Sequence, residues 1–144
     1  MSVDLIAREA EAWAAFAVAV SSVPLERRED PVLPDGWSVK DVLWHVVYWW
    51  RDGIASFLAM HAGTYVETQT TDAETDATNA RVLGESRAMP LAEVETALIR
   101  ARTALLEAFA SVATDPDAAE LFESETIEHY EEHIGAVLAL APAP

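Results

Sequence analysis

Cysteine is absent from this chain of 144 residues. A disulfide framework and a thiolate metal site are therefore both excluded, and any thiol chemistry must use a thiol from outside the protein. The length is that of one ordinary domain, which can bury an apolar core without cross-links. We therefore expect residues 1–144 to form a single domain.

Basic residues are also scarce, since 9 Lys and Arg stand against 25 Asp and Glu and the formal net charge is -16. A charge of this sign repels phosphate backbones and anionic lipid headgroups, so we expect no nucleic-acid partner. No run reaches the roughly 18 consecutive apolar residues of a membrane-spanning helix. The first twenty residues lack the basic start and apolar run of a secretory signal. These features predict a cytoplasmic protein without a membrane partner.

Apolar residues recur at three- and four-residue steps, which is typical of amphipathic helices, and no strand-like alternation is long enough to count. The connections are broken by proline and by an Asp-Gly pair at residues 22–36, and are rich in threonine and acid at residues 62–75. The predicted helices cover residues 3–21, residues 39–60 with an N-cap at Ser38, a third region in two pieces (about 76–86, then a longer one from Pro90), and about 124–140. Before the last helix, Asp115-Pro116 resembles another helix start signal, which we read as a short turn.

Four amphipathic helices in one small domain must bury their apolar stripes against each other, which predicts an all-α four-helix bundle. Short loops favour antiparallel neighbours, whereas residues 62–75 are long enough to run the length of the bundle. Helices 2 and 3 can then be parallel. The expected topology is up-down-down-up.

Histidine placement is the clearest indication of function. His129 and His133 lie one helical turn apart, and His45 lies far upstream in the predicted second helix. Two imidazoles at i and i+4 can point the same way, and a third from a facing helix would complete a metal site with open positions. The same spacing also arises by chance in an acidic helix, where each histidine would pair with a carboxylate. Spacing alone leaves both interpretations open, while His61 is read as a charge at the end of helix 2.

Three carboxylates accompany these histidines. Asp41, one turn before His45, could orient that ring from the second shell or could cap the helix. A projection of the last helix with uniform rotation places Glu125 and Glu132 nearer the solvent side than the two histidines. Both are candidate catalytic bases, although a solvated acidic face also accounts for them.

Aromatic residues crowd the same stretch of helix 2. Trp37, Trp44, Tyr48, Trp49 and Trp50 fall within fourteen residues of chain. Aromatic residues at helical spacing usually cover a core. The alternative is that Trp44, Tyr48 or Trp49 lines a pocket beside a bound metal.

Three parts of the chain together resemble the DinB-like superfamily. They are the stretch from Pro34 to Trp50, with its Trp37-Ser-Val-Lys-Asp-Val-Leu-Trp-His45 element, then Asn79, and finally Glu128-His-Tyr-Glu-Glu-His133. The likeness covers nearly the whole chain. Within the superfamily the sequence is most similar to the DfsB/ClbS type, with the mycothiol-dependent maleylpyruvate isomerase type as a more distant relative.

The resemblance implies an up-down-down-up four-helix bundle, commonly a homodimer, with a divalent metal such as zinc or nickel held by His45, His129 and His133. Superfamily members include thiol transferases that use low-molecular-weight thiols and a hydrolase that opens a strained electrophilic ring, and a link to DNA damage indicates a stress response. We therefore hypothesise a metal-dependent hydrolase or thiol transferase that activates water or a thiol against a small electrophile. The alternative is a non-catalytic bundle without metal that binds a ligand or acts as a dimeric interaction protein.

Overall fold

The computed structural model describes residues 2–140, with side chains from residue 4 onward, and this part of the chain is all-α, without strands. Two short 3-10 turns, Leu25–Arg27 and Pro34–Gly36, lie between the first two helices. A π-helical turn, Ser124–Glu128, joins the last two. The α-helices are α1 (Ser2–Ser22), α2 (Val39–Ala62), α3 (Asp72–Arg87), α4 (Leu91–Ala110), α5 (Pro116–Glu123) and α6 (His129–Leu138).

The start of α2 confirms the predicted N-cap. The Ser38 hydroxyl accepts a hydrogen bond from the Asp41 backbone N–H at 3.1 Å, and the Asp41 carboxylate accepts one from the Ser38 N–H at 2.8 Å. This reciprocal capping box satisfies two backbone donors that a helix end leaves free. At the other end of the helix Gly63 adopts a left-handed conformation with φ 74°, which only glycine enters without steric cost.

Helix α3 begins earlier than the apolar pattern predicted. Thr71 caps it by accepting a hydrogen bond from the Glu74 N–H at 3.1 Å, and Asp72 and Glu74 place negative charge in the first turn. Both effects favour a helix start there. Because α3 buries only Val82 and Ser86, its sequence carries almost no apolar period, and residues 72–75 were predicted as connection.

The last helical segment also begins earlier, since α5, the π turn and α6 follow one another without a break from Pro116 to Leu138. Asp115 caps α5 by accepting a hydrogen bond from the Asp117 N–H at 2.9 Å. The predicted start near Ser124 is therefore wrong, because Ser124 lies inside helical backbone with φ -63° and ψ -46°.

Packing divides the helices into neighbouring pairs. Helix α2 packs mainly against α4 and α3, while α1 packs against α6 and the π turn. An aromatic cluster of Trp13, Phe16, Trp50 and Tyr130 joins α1, α2 and α6 in the core, with ring centroids 5.5–6.1 Å apart in its contacting pairs. This cluster holds α2 and α6 in the relation that the site requires. None of the described helices combines the length and hydropathy needed to span a bilayer.

A buried ion pair crosses the same core. Glu9 of α1 is fully buried and accepts hydrogen bonds from the guanidinium of Arg102 on α4, including one from Nε at 3.0 Å. The guanidinium carbon also lies 5.1 Å from the centre of the Trp13 ring. Burial, followed by the Glu9 charge, raises the pKa of the neighbouring Tyr130 phenol. The phenol therefore stays neutral beside the pair.

Candidate metal centre

Three imidazole rings meet between α2 and α6. The ring centroids of His45 and His129 are 4.9 Å apart, those of His45 and His133 5.2 Å, and those of His129 and His133 4.9 Å. One nitrogen from each ring lies within 4.8 Å of the others. A tetrahedral ion with bonds of about 2.0–2.1 Å separates its ligands by roughly 3.4 Å, so these nitrogens would have to approach one another by no more than about 1.4 Å to bind one ion. The three histidines could therefore hold one metal ion.

Each of these rings also carries a buried nitrogen without a hydrogen-bond partner among the described residues. The atoms are Nδ1 of His45, Nδ1 of His129 and Nε2 of His133. Only 8% of His45 and 8% of His129 are exposed. Buried polar atoms almost always have a partner, and a cation is one that three converging lone pairs can share. No described carboxylate pairs with any of the rings, which contradicts the interpretation of histidines satisfied by carboxylates.

The rings are neutral at neutral pH. Burial, and then the neighbouring His133, lowers the pKa of His45 to about 4. Burial, followed by His45 and His133, lowers the pKa of His129 to about 3 against a smaller opposing effect of the Glu125 backbone. Burial also lowers the pKa of His133, although the Glu132 carboxylate opposes this shift. Neutral imidazole is the form that binds metal, so the cluster is in its ligand state.

A π-helical turn immediately precedes the histidine pair. Inside this turn the Glu125 carbonyl accepts a hydrogen bond from the Trp50 indole N–H at 3.1 Å, and the buried Thr126 hydroxyl donates to the Phe122 carbonyl at 2.6 Å. Single π turns inside helices are rare and frequent at functional sites. Because such a turn holds an extra residue, Glu125 points in a different direction relative to His129 than it would in a regular α-helix. Glu125 was thus predicted on the solvent side but is half-buried.

Two clefts of about 320 Å³ and 370 Å³ adjoin the cluster, and His45, Asn79 and Glu132 line both. The first also contains Trp37, whose ring centroid lies 5.1 Å from that of His45. The second contains Trp49, 6.5 Å from His45, whose indole N–H donates to the Asn79 side-chain oxygen at 3.0 Å. The cluster is thus open to a small molecule from two directions.

The predicted carboxylates have different surroundings. Asp41 accepts hydrogen bonds from the Ser38 N–H and, at 2.7 Å, from the Ser86 hydroxyl. It accepts none from His45, so it caps the helix and does not orient that ring. Glu132 is exposed at the edge of both clefts. Glu125 lines the larger cleft, and burial, followed by the charge of Asp52, raises its pKa to about 8.

The aromatic residues are divided between the clefts and the remaining surface. Trp49 lies at the site, whereas Trp44 and Tyr48 line neither cleft and pack instead beneath the guanidinium groups of Arg51 and Arg81, at 5.1 and 5.3 Å from the ring centres. Sequence reasoning did not select Trp37 as a site residue, although it directly precedes the helix cap.

Asn79 was the other omission. It carried part of the family likeness, but no ligand-type chemistry or spacing pointed to its place in both clefts. Its side-chain oxygen accepts a hydrogen bond from Trp49, so its amide N–H groups are the part of the side chain left to donate to a ligand.

A model of the mycothiol maleylpyruvate isomerase N-terminal domain matches residues 5–128, which is most of the chain. The match includes His45 and ends directly before His129. Neither the curated proteins nor the solved structures gave a significant match. The predicted superfamily is confirmed, but through the type that we had ranked as more distant, and nothing in the comparisons supports the DfsB/ClbS type. The chain belongs to the mycothiol maleylpyruvate isomerase N-terminal domain family, within the DinB-like superfamily.

Proposed function

We propose that the protein is a divalent-metal-dependent enzyme that activates water or a low-molecular-weight thiol to attack a small electrophile. One observation carries the proposal, namely the meeting of two buried imidazoles and one half-buried imidazole, each of which has a buried nitrogen without a hydrogen-bond partner among the described residues. Family membership also supports the proposal. The family match covers residues 5–128, which include His45 but neither His129 nor His133.

His45, His129 and His133 would be the ligands, and an all-imidazole donor set suits zinc or nickel. A bound divalent cation lowers the pKa of water or of a thiol, so that either reacts as an anion near neutral pH. Because the chain has no cysteine, the thiol of a transferase reaction would be a cosubstrate. Hydrolase and thiol transferase are the two reactions open to this site.

Protein groups around the cluster supply the remaining functions. The Glu132 carboxylate, at the edge of both clefts, is placed to accept a proton from the attacking group. Glu125 holds a proton at neutral pH and is placed to donate it in the larger cleft. Trp37 and Trp49 form apolar walls that exclude water, and Asn79 can donate a hydrogen bond to a substrate oxygen.

Elemental analysis of tag-free protein tests the metal site. We expect about one equivalent of divalent metal in the wild-type protein, lost in His133→Ala because a ligand is removed. His61→Ala is the matched control, since His61 is exposed in the last turn of α2 and should leave the metal content unchanged. Equal metal content in His133→Ala and wild type would remove the mechanism.

Absence of metal from the wild-type protein, together with no change in stability on adding zinc or nickel, would favour the non-catalytic ligand-binding or interaction module instead. If metal is present, turnover of epoxides with and without added thiols separates a hydrolase from a thiol transferase. A hydrolase needs no thiol. A transferase consumes one thiol for each product.

We further infer that residues 1–144 form one domain, an up-down-down-up four-helix bundle that associates as a homodimer. The packing of α1 on α6 and of α2 on α4, and the long connection from Gly63 to Thr71, support this topology. Light scattering of the purified protein tests the dimer. The DfsB/ClbS type, the stress response and the cytoplasmic location stay predictions from the sequence.

A further inference from the structure

Neither cleft beside the histidine cluster is lined by a lysine or an arginine from the described part of the chain. The lining includes acidic residues instead. These are Asp35 and Glu132 in the smaller cleft, and Glu125 and Glu132 in the larger one. An anionic ligand would therefore enter a site in which no lysine or arginine side chain can pair with its charge.

Eight of the nine basic residues have partners elsewhere, and the ninth, Arg100, is exposed on α4 and lines neither cleft. Arg87 donates to the Gly36 carbonyl, and the Arg51 guanidinium lies over Trp44. Six others form ion pairs: Arg8–Glu123, Arg27–Asp30, Arg28–Glu95, Lys40–Glu29, Arg81–Glu85 and Arg102–Glu9. Each of these eight side chains could reach the clefts only by giving up its present contacts.

The groups that do face the clefts suit a different ligand. Trp37 and Trp49 present indole rings close to His45, and such faces bind apolar groups and cations. Asn79 offers amide donors, because Trp49 occupies its oxygen. An apolar or aromatic body with a neutral oxygen acceptor matches this set, and an attached positive charge would be favoured by Glu132.

From this we infer that the part of the organic ligand that lies against the cleft walls, apart from any atom bound to the metal ion, is neutral or cationic with an apolar or aromatic body, and carries no carboxylate. The inference rests on the proposed function, since it describes the substrate class of that same site.

The test uses three probes that share one ring and differ in charge: benzylammonium, benzyl alcohol and benzoate. Binding is followed by NMR of the full-length protein at the Trp49 indole N–H, assigned by its loss in Trp49→Phe. The titrations are done in chelator, so that benzoate cannot bind through a metal ion. We expect benzoate to bind about tenfold or more weakly than benzyl alcohol, a factor that corresponds to about 1.4 kcal/mol. Benzylammonium should bind at least as tightly as benzyl alcohol.

Two variants separate the clefts from the overall negative charge. Glu132→Gln removes a carboxylate from both clefts, and should weaken benzylammonium while leaving benzyl alcohol unchanged. Glu131→Gln removes the same charge from the adjacent exposed position, which lines neither cleft, and should leave all three affinities unchanged. Unchanged benzyl alcohol binding also shows that a variant is folded.

The inference is overturned if benzoate binds as tightly as benzyl alcohol, or if the two variants change the affinities equally. Its failure is distinguishable from failure of the proposed function, because charge selectivity is measured without metal and metal content is measured without ligand. Benzoate binding with a full metal content would overturn the substrate class alone.

Discussion

Among single residues, the three histidines of the cluster have the clearest physical consequence. Their low pKa values mean that folding keeps neutral rings that the unfolded chain would protonate in mild acid. The unfolded pKa is about 6.5. At pH values between the folded and unfolded pKa the unfolded state binds more protons, so acidification favours unfolding.

We therefore expect the stabilising contribution of a neutral His129 to be complete above about pH 6.5 and to be lost as the pH falls toward the folded pKa of about 3. The measurement is the free energy of unfolding in urea, with chelator present, for wild type and His129→Gln. The difference between the two proteins should shift in favour of the variant as the pH is lowered from about 7 to about 5.

Glu125 acts in the opposite direction, because its raised pKa makes the folded state bind the proton between about 4.5 and about 8. Comparing two proteins that share Glu125 cancels this contribution. A difference between wild type and His129→Gln that stays constant over the pH range would contradict the burial of neutral rings.

Among the structural elements, the π turn before α6 was beyond the reach of sequence reasoning. The capping box at Ser38 was predictable because its signal is local, as was the His129–His133 pair, whose spacing survives in any regular helix. The π turn depends on Trp50, which is distant in sequence and donates to the carbonyl of Glu125. A projection with uniform helical rotation cannot include such a tertiary partner, so it misplaced Glu125.

Helix α3 was mispredicted at its start for a related reason. Its cap and acidic first turn define it, not an apolar stripe, and only Val82 and Ser86 are buried. Asn79, which this helix brings to the site, carries no spacing rule of its own. Apolar periodicity therefore identified the helices that carry the three histidines. It identified only part of α3, the helix that carries Asn79.

Replacing Trp50 with phenylalanine should destabilise the π turn. The Glu125 carbonyl would lose the bond from the indole N–H, and a typical intramolecular hydrogen bond contributes about 0.5–1.5 kcal/mol to stability. Because His129 follows this turn directly, we also expect weaker zinc binding. Urea denaturation and a competitive zinc titration measure the two effects.

Trp44→Phe is the matched control, since its indole N–H has no hydrogen-bond partner in the described structure and no bond is lost. It should retain the affinity for zinc. Equal effects of the two substitutions would mean that loss of indole volume, and not the hydrogen bond to the turn, is responsible.

Across the whole molecule, the Glu9–Arg102 pair connects α1 to α4 through the core, next to the aromatic cluster that includes Tyr130. Arg102→Met should destabilise the protein by about 3–5 kcal/mol, because it leaves the fully buried Glu9 charge without a partner. Thermal and urea unfolding measure the loss.

Adding Glu9→Gln to Arg102→Met should recover much of the lost stability, since the uncompensated charge is then absent. Arg100→Met, at an exposed position on the same helix, should have little effect. If the double variant is no more stable than Arg102→Met alone, lost packing against Trp13 and not the buried charge would be the cause.

The division of labour between helices has a consequence for how such proteins diverge. The three imidazole rings of the cluster belong to α2 and α6, whereas Asn79 belongs to α3, which packs mainly against α2. Trp37 belongs to the turn before α2. Substitutions in α3 or in that turn can reshape what the clefts recognise while the imidazoles keep their places. A metal site built in this way can keep its ligands in related proteins while the organic molecules that bind beside it differ. Substrate preference can then change faster in evolution than the metal chemistry.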